Sequence, residues 1–265
     1  MSDVYEIFAV RYASKTDRVR RENFIITDAH EAPMPIDYYV WVIRNKDRTI
    51  VVDTGFDHAE AERRGRHITR LPRDGLAMLD VDAAKVKDVV ISHLHFDHAG
   101  TMDHFPEARF HIQDSELHYA TSRHMCEHTF RHAYTPGHVK QCIDCLYEGR
   151  VVFHDGDEEI APGIAVHHIG GHTMGIQCVS VASKRGRVVL AVDTAHFYEN
   201  MEKPSPFPIV FSVADMLRGF HKMRGIAASG KHIIPGHDPL VLKRYPAPAK
   251  DLEGIVCRLD VEPTD

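Results

Sequence analysis

The sequence lacks the features that mark membrane, exported and nucleic-acid-binding proteins. No apolar run reaches about 18 residues, so no transmembrane helix is predicted. The opening stretch, MSDVYEIFAVRYASKTDR, carries charge in every short window and has no apolar signal-peptide core. No block of like charge occurs, and the net charge of −6 is unlike the basic surface that nucleic-acid binding requires. These absences predict a cytoplasmic protein whose partners include neither nucleic acid nor a membrane.

Cysteine is also sparse, with five scattered residues. Cys142 and Cys145 form a single C-x-x-C, whereas a zinc ribbon needs a second such pair. Without an export signal we expect reduced thiols with no role in a disulfide framework.

Histidine, by contrast, is abundant, with 21 in 265 residues and no His-rich tract. That distribution favours dispersed ligands that converge in the fold. Strands are predicted at 3–12, 36–44, 48–53, 87–92, 108–113, 150–153, 164–169, 176–182 and 187–192, and helices at 57–65, from about 114, and at 212–227. The order suggests an α/β fold of two sheets with helices outside, rather than alternating βαβ units.

The stretch VVISHLHFDHAG, residues 89–100, places four potential metal ligands within six positions. They are His93, His95, Asp97 and His98. A buried strand followed by a tight loop can turn these side chains toward one point. Imidazole and carboxylate suit zinc, iron, manganese or cobalt. Four ligands from so short a loop exceed what one tetrahedral ion usually takes, so the motif favours two adjacent ions.

Two ions need further ligands, and three later segments repeat the arrangement of an apolar strand, a turn and a ligand. His172 stands in IGGHTMG, Asp193 ends the apolar run of VVLAVDTA, and His237 stands in IIPGHDP. Each is weak alone, because a histidine after glycine is more often an ordinary loop residue. Their repetition makes all three candidate ligands.

The set H-x-H-x-D-H, GGHT, a strand-ending Asp and PGH resembles the metallo-β-lactamase superfamily over about residues 36–240. Within it, SHLHFDHAG and GHDP resemble the N-acyl-homoserine lactonase branch. The resemblance implies a four-layer αβ/βα sandwich, formed here by a single domain over residues 1–265. It also implies two divalent ions, with zinc expected and iron, manganese or cobalt as alternatives. A homodimer is the family expectation.

The resemblance further implies roles for the ligands and a reaction. One ion is held by His93, His95 and His172, the other by Asp97, His98 and His237, and Asp193 bridges them. A hydroxide held between the ions attacks the carbonyl of an N-acyl-homoserine lactone, which makes the chain a quorum-quenching hydrolase of carboxylic ester bonds. Asp97 is implied to relay a proton to the leaving alkoxide. Asp53, in VVDTGF, either orients metal-binding histidines or is a simple turn carboxylate.

One position departs from that branch, whose lactonases often have a tyrosine three residues after the bridging aspartate. His196 stands there in this chain, and Tyr198 follows two residues later. Either side chain could donate a hydrogen bond to the substrate carbonyl, so both are candidate catalytic residues. The departure keeps a second function open, the hydrolysis of another small lactone or ester in a catabolic pathway.

Four aromatic residues and one polar segment are candidates for the substrate side of the site. Phe197, Tyr198, Phe207 and Phe211 are predicted to form an apolar acyl pocket, with core packing as the alternative. Residues 120–149, polar and rich in His and Cys, are predicted to be a lid inserted over the site.

A third function class is a metal-binding redox protein. Related folds also form iron redox proteins that work beside flavin, but these usually carry a glutamate where this chain has His95.

Overall fold

The computed structural model describes residues 3–26 and 32–264. A first mixed sheet forms from segments rich in β-branched and aromatic residues. Its strands are β1 (Glu6–Lys15), β2 (Ile36–Arg44), β3 (Thr49–Val52), β4 (His67–Ile68), β5 (Asp88–Val90), β6 (Arg109–Gln113), β7 (Val151–His154) and β13 (Val256–Arg258). The order is β13-β1-β2-β3-β5-β6-β7, with β4 paired to β1. Because β3, β5, β6 and β7 run parallel, their carboxyl ends meet at one edge.

A second sheet follows in the chain and lies against the first. Its strands are β8 (Glu158–Ala161), β9 (Ile164–His168), β10 (Gln177–Ser183), β11 (Gly186–Val192) and β12 (Ile233–Pro235). They are ordered β12-β11-β10-β9-β8, antiparallel except for the β11–β12 pair. The strands predicted from alternation and β-branched runs are present within a few residues of their expected bounds.

Helices cover the outer faces of the two sheets. They are α1 (His58–Arg64), α2 (Pro72–Ala77), α3 (Asp114–Ala120), α4 (His128–Arg131), α5 (Pro136–Tyr147), α6 (Tyr198–Glu202), α7 (Val213–Ile226) and α8 (Leu240–Arg244). Within residues 3–26 and 32–264, none combines the length and the apolar character needed to cross a bilayer.

The core has two parts because successive side chains of a strand point to opposite faces. In β1, Ile7 and Ala9 join the cluster shared with the second sheet, whereas Phe8 and Val10 join the cluster under the helices. On the second sheet, α7 adds its buried apolar stripe, which includes Phe220. The predicted four-layer order of helices, sheet, sheet and helices is confirmed.

Residues 120–149 are more regular than their polar composition suggests. They contain α4 and α5, and Pro136 stands at the first position of α5, where its missing N–H costs nothing. Cys142 and Cys145 lie on the buried side of α5 as free thiols. The Phe96 N–H donates to the carbonyl of Ala133 at 2.9 Å, which ties this segment to the loop after β5.

Candidate metal centre

The seven candidate ligands come from loops that leave different strands, and the structure brings all of them together. They follow β5 (His93, His95, Asp97, His98), β9 (His172), β11 (Asp193) and β12 (His237). All seven are buried. The fold places these strand ends at one rim of the two sheets, which is why residues so far apart in sequence converge.

Three histidines form the first ligand group, defined as His93, His95 and His172. Nδ1 of His95 lies 3.0 Å from Nε2 of His93 and 3.0 Å from Nε2 of His172. Burial, with the nearby histidines second, lowers the pKa of His93 and that of His95 well below the usual range. Neutral imidazoles with converging nitrogens are suited to a cation.

Asp97, His98 and His237 form the second ligand group. Oδ2 of Asp97 lies 3.6 Å from Nε2 of His98 and 3.7 Å from Nε2 of His237. Burial alone would lower the pKa of His98, but surrounding carboxylates, with Asp193 first, raise it well above its usual value. The second ligand group therefore includes a carboxylate charge, that of Asp97, which the three histidines of the first group lack.

Asp193 lies between the two groups and presents one oxygen to each. Its Oδ2 is 3.3 Å from Nε2 of His172 and 3.8 Å from Nε2 of His93. Its Oδ1 is 2.9 Å from Nε2 of His237 and 3.3 Å from Nε2 of His98. Although burial opposes its charge, the surrounding histidines hold the pKa of Asp193 well below the usual range. This is the geometry that a bridging carboxylate requires.

The polar atoms at the centre fit divalent cations. Oδ1 of Asp193 and Nε2 of His98 are buried, and despite their short distances to neighbouring atoms neither has a partner with hydrogen-bond geometry, which is costly unless something else binds them. In each group the ligand atoms lie within 4.8 Å of one another. Imidazole and carboxylate donors suit zinc, iron, manganese or cobalt.

Outer contacts hold the rings of His98 and His237 so that their Nε2 atoms face the centre. Nδ1 of His98 donates to Oδ2 of Asp53 at 2.7 Å, and Asp53 also accepts from the N–H and the hydroxyl of Ser92. Nδ1 of His237 donates to the backbone carbonyl of Asp37 at 2.7 Å. Asp53 has a φ of 61°, a left-handed conformation in the turn after β3. Fixing a ring through its other nitrogen is how metal sites set the tautomer.

Of the two candidate catalytic residues, only His196 lies with the ligands. Its Nε2 is 3.1 Å from Oδ2 of Asp193, and its ring stacks on Phe207 with centroids 3.7 Å apart. Burial lowers the pKa of His196 to about 3, so the imidazole is neutral. Tyr198 begins α6 and packs elsewhere, with the guanidinium of Arg244 4.3 Å from its ring centroid. The geometry favours His196 over Tyr198 for contact with a substrate.

The predicted acyl pocket is divided in the structure. Phe197 is fully buried in the helix-side core, which fits packing rather than a pocket wall. Phe211 is half-buried, and its N–H donates to the carbonyl of Gly171, beside the first ligand group. Its ring packs on Tyr119 and Phe130 at centroid distances of 5.1 and 5.9 Å. Phe211 therefore lies in an aromatic cluster next to the centre.

Sequence reasoning missed Glu116, a buried carboxylate in α3. It accepts hydrogen bonds from the N–H of Leu94, the hydroxyl of Tyr134, the hydroxyl of Thr173 and the N–H of Gly175, at 2.9, 2.9, 2.5 and 3.2 Å. Burial raises the pKa of Glu116. The carboxylate ties together the two loops that carry the first ligand group. Its only sequence signal was a glutamate on the buried face of a short helix.

Comparisons with known proteins agree with this geometry. The sequence model of the metallo-beta-lactamase superfamily matches residues 35–245. An N-acyl homoserine lactonase of Bacillus sp is 25% identical over 221 residues, which are 77% of this chain and 82% of the relative. The N-acyl homoserine lactonase AttM of Rhizobium johnstonii is 29% identical over 183 residues, 63% of either chain.

Solved structures confirm the fold. A quorum-quenching N-acyl homoserine lactone lactonase superposes with a TM-score of 0.72 at 21% identity, covering 90% of this chain and 94% of that one. AidC, a dizinc quorum-quenching lactonase, superposes with a TM-score of 0.63 at 16% identity, covering 89% and 88%. Since the family match spans most of the chain and the seven ligand positions converge, the protein belongs to the metallo-β-lactamase superfamily.

Proposed function

We propose that this protein is a dinuclear metal-dependent hydrolase that opens the lactone ring of N-acyl-homoserine lactones. The observation that carries the proposal is Asp193, which offers one oxygen to each of two three-residue ligand groups. The names of the curated relatives support the substrate class. The dizinc description of AidC supports zinc as the metal, with iron, manganese and cobalt as alternatives.

The ligands divide between two ions as their geometry suggests. His93, His95 and His172 would hold the first, Asp97, His98 and His237 the second, and Asp193 both. When bound, such a pair of divalent ions supplies a hydroxide nucleophile at neutral pH and polarises a carbonyl oxygen. Asp53 orients the ring of His98 so that its Nε2 can bind an ion, and the backbone carbonyl of Asp37 orients the ring of His237 in the same way.

His196 and Asp97 are the chain's own groups for the substrate. A neutral imidazole has one N–H, and with the Asp193 carboxylate bound by the ions that N–H of His196 would be available to the lactone carbonyl oxygen, in place of the tyrosine hydroxyl found in many lactonases. Phe207 fixes that ring by stacking and keeps water from one of its faces. Asp97, at the edge of the second ligand group, is placed to pass a proton to the leaving alkoxide.

A second candidate uses the same residues on a different substrate. His196 stands where many lactonases have a tyrosine, and its ring stacks on Phe207, so the group offered to a substrate differs from theirs. This favours the alternative of another small lactone or ester in a catabolic pathway.

Four sequence predictions belong to the proposal: a lid, a single domain, a homodimer and a cytoplasmic location. Residues 120–149 would form a lid within a single domain over residues 1–265, and the Tyr134 ring, 4.6 Å from that of His95, supports such a role. A homodimer and a cytoplasmic location stay predictions.

Metal analysis joined to a pH-stat assay tests the function. The purified protein would be assayed for metal per chain and offered long- and short-chain acyl-homoserine lactones beside simple γ- and δ-lactones. We expect two ions and acid release from the acyl-homoserine lactones. If two ions are bound but acid is released only from the γ- and δ-lactones, the catabolic alternative replaces the proposed substrate. Fewer than two ions after reconstitution would overturn the dinuclear site.

Two substitutions decide between the candidate catalytic residues. His196→Ala should lower turnover about 100-fold while two ions stay bound, because a hydrogen bond to developing charge is lost. Tyr198→Phe should leave turnover within about twofold, since its ring packs on Arg244. The reverse pattern would assign the carbonyl contact to Tyr198.

A further inference from the structure

We propose that Arg18 and Arg66, two arginines beside the metal centre, bind an anionic group of the substrate, so that the preferred lactones carry a carboxylate on their acyl part. The inference rests on the proposed lactonase function and narrows its substrate class.

Arg18 reaches the centre through a stacked pair of rings. Its guanidinium carbon lies 5.0 Å from the centroid of Phe207. The same phenyl ring stacks at 3.7 Å on His196, whose Nε2 lies 3.1 Å from Asp193. One aromatic layer therefore separates the positive charge of Arg18 from the side chain proposed to contact the carbonyl.

Arg66 approaches the second ligand group from the segment after α1. Its guanidinium carbon lies 5.9 Å from the centroid of Phe96, the residue just before Asp97. It also interacts with the hydroxyl of Tyr38, whose ring packs 5.2 Å from that of His237. The charge of Arg18 also acts on Tyr38, so both arginines lie on the side of the centre where Tyr38 packs against His237.

Neither arginine has a carboxylate partner within the part of the chain that the structure describes. Arg18 donates to the side-chain oxygen of Asn23 and the backbone carbonyl of Glu22. Arg66 donates to the backbone carbonyl of Arg64, and its Nε is buried without a hydrogen-bond partner. Burial lowers the pKa of Arg18, although the charge of Glu22 opposes the shift, and the charge of Arg66 adds to it.

The charged groups near the two arginines have other partners within the described residues. Glu22, whose charge acts on Arg18, accepts a hydrogen bond from the N–H of Val19. Arg63 and Arg64, next along the chain, both pair with the carboxylate of Glu60. Asp17 pairs with Lys15 at 2.6 Å. Arg66 thus has an unpaired N–H donor near the half-buried guanidinium of Arg18, and an anion bound between them would be stabilised by both charges. A carboxylate is a suitable anion because its two oxygens match the planar donor fork of a guanidinium.

A matched pair of substrates tests the inference. N-adipoyl-homoserine lactone ends in a carboxylate, and its terminal amide has nearly the same shape without the charge. We expect a kcat/KM about tenfold or more higher for the carboxylate, as charge-assisted hydrogen bonds allow. The preference should shrink as salt is added, because screening weakens partly exposed charges.

Arginine variants assign that preference to the two side chains. Arg18→Gln and Arg66→Gln should each lower kcat/KM for the carboxylate about tenfold and leave the amide within about twofold. Arg63→Gln is the control, since its exposed side chain already pairs with Glu60. Equal losses on both substrates would mean that the arginines only brace Phe96 and Phe207. Equal rates on both substrates in the wild type would also overturn the inference.

Calorimetry separates this inference from the proposed function. If neither lactone is hydrolysed by protein with two ions bound, the lactonase proposal fails. Binding of adipamic acid against adipamide, in the wild type and in Arg18→Gln and Arg66→Gln, then decides the arginine site. Acid binding about tenfold weaker in the variants upholds it, and unchanged binding rejects it.

Discussion

Two buried carboxylates stabilise the two halves of the metal centre in different ways. Asp53 contacts a ligand directly, through the ring nitrogen of His98. Glu116 contacts no ligand ring and instead binds the backbone and hydroxyl groups of the loops that carry the first group, at Leu94 and Thr173 among others. Asp53 therefore stabilises the second ligand group by fixing the orientation of a side chain. Glu116 stabilises the first ligand group by fixing the path of the backbone that carries it.

The difference teaches that a buried carboxylate can serve ligand affinity or fold stability, according to what it touches. Asp53 fixes a tautomer, so its loss should appear in metal binding. Glu116 satisfies four donors that would otherwise be buried and unpaired, so its loss should appear in the free energy of unfolding. Asp193, which belongs to both halves, should combine the largest effects.

Asp193→Ala removes the carboxylate that joins the halves. We expect the loss of at least one metal equivalent and a fall in kcat/KM on the order of 10³-fold, because several kcal/mol of charge stabilisation depend on the paired ions. Metal analysis and lactone hydrolysis measure the two effects. Full activity in this variant would remove the bridging role and, with it, the division of the centre into two halves.

Asp53→Asn should act on one half alone. An amide cannot accept from both His98 and Ser92 as the carboxylate does, so the affinity for one of the two ions should fall about 10–100-fold. Competition of the metal-free protein with a chelator measures both affinities. Asp238→Asn is the matched control, since that buried carboxylate lies beside His237 yet accepts hydrogen bonds from the backbone N–H groups of Tyr198 and Leu240. An equal loss in both variants would contradict the assigned difference.

Glu116→Gln should lower the free energy of unfolding of the metal-free protein by about 2 kcal/mol, since the new amide N–H₂ faces donors such as the N–H of Gly175. Urea denaturation measures this. We expect the metal affinities of the folded variant to stay close to those of the wild type. A large loss of affinity with unchanged stability would mean that Glu116 acts as Asp53 does.

The convergence of the seven candidate ligands was predictable because each follows an apolar strand at a turn, a local pattern that the sequence displays. His93 and its neighbours also share one short loop, so their convergence needed no knowledge of the fold. Asp53 was predictable only as one of two alternatives, because its contact with His98 depends on β3 lying beside β5.

The remaining features depend on contacts between distant segments. Glu116 bonds to groups between 18 and 59 residues away along the chain, a relation without any sequence motif. The different surroundings of His196 and Tyr198 depend on where α6 begins, since Tyr198 starts that helix and packs against Arg244. The polar segment that contains α5 gave no apolar period strong enough to predict a helix.

A third carboxylate, Glu199, extends the comparison to the surface and should show the smallest effect. Its hydrogen bond with Arg20, at 2.6 Å, lowers the pKa of Glu199 to about 2. The pKa is depressed on folding, so the stabilisation is present above the unfolded value of 4.5 and is lost as the pH falls toward 2. Because both groups are partly exposed, Glu199→Gln should cost about 1 kcal/mol or less at pH 7.

Urea denaturation of the metal-free wild type and Glu199→Gln at a series of pH values measures that contribution without interference from metal release. The gap in unfolding free energy should narrow steadily below pH 4.5, since acid removes the charge that the substitution removes. Glu116→Gln is the contrasting variant, because burial raises the pKa of Glu116 and its effect arises from unpaired donors. The comparison would fail if Glu199→Gln lowered the free energy of unfolding as much as Glu116→Gln, or if its effect persisted in acid. Either result would mean that burial does not determine how much each carboxylate contributes to stability.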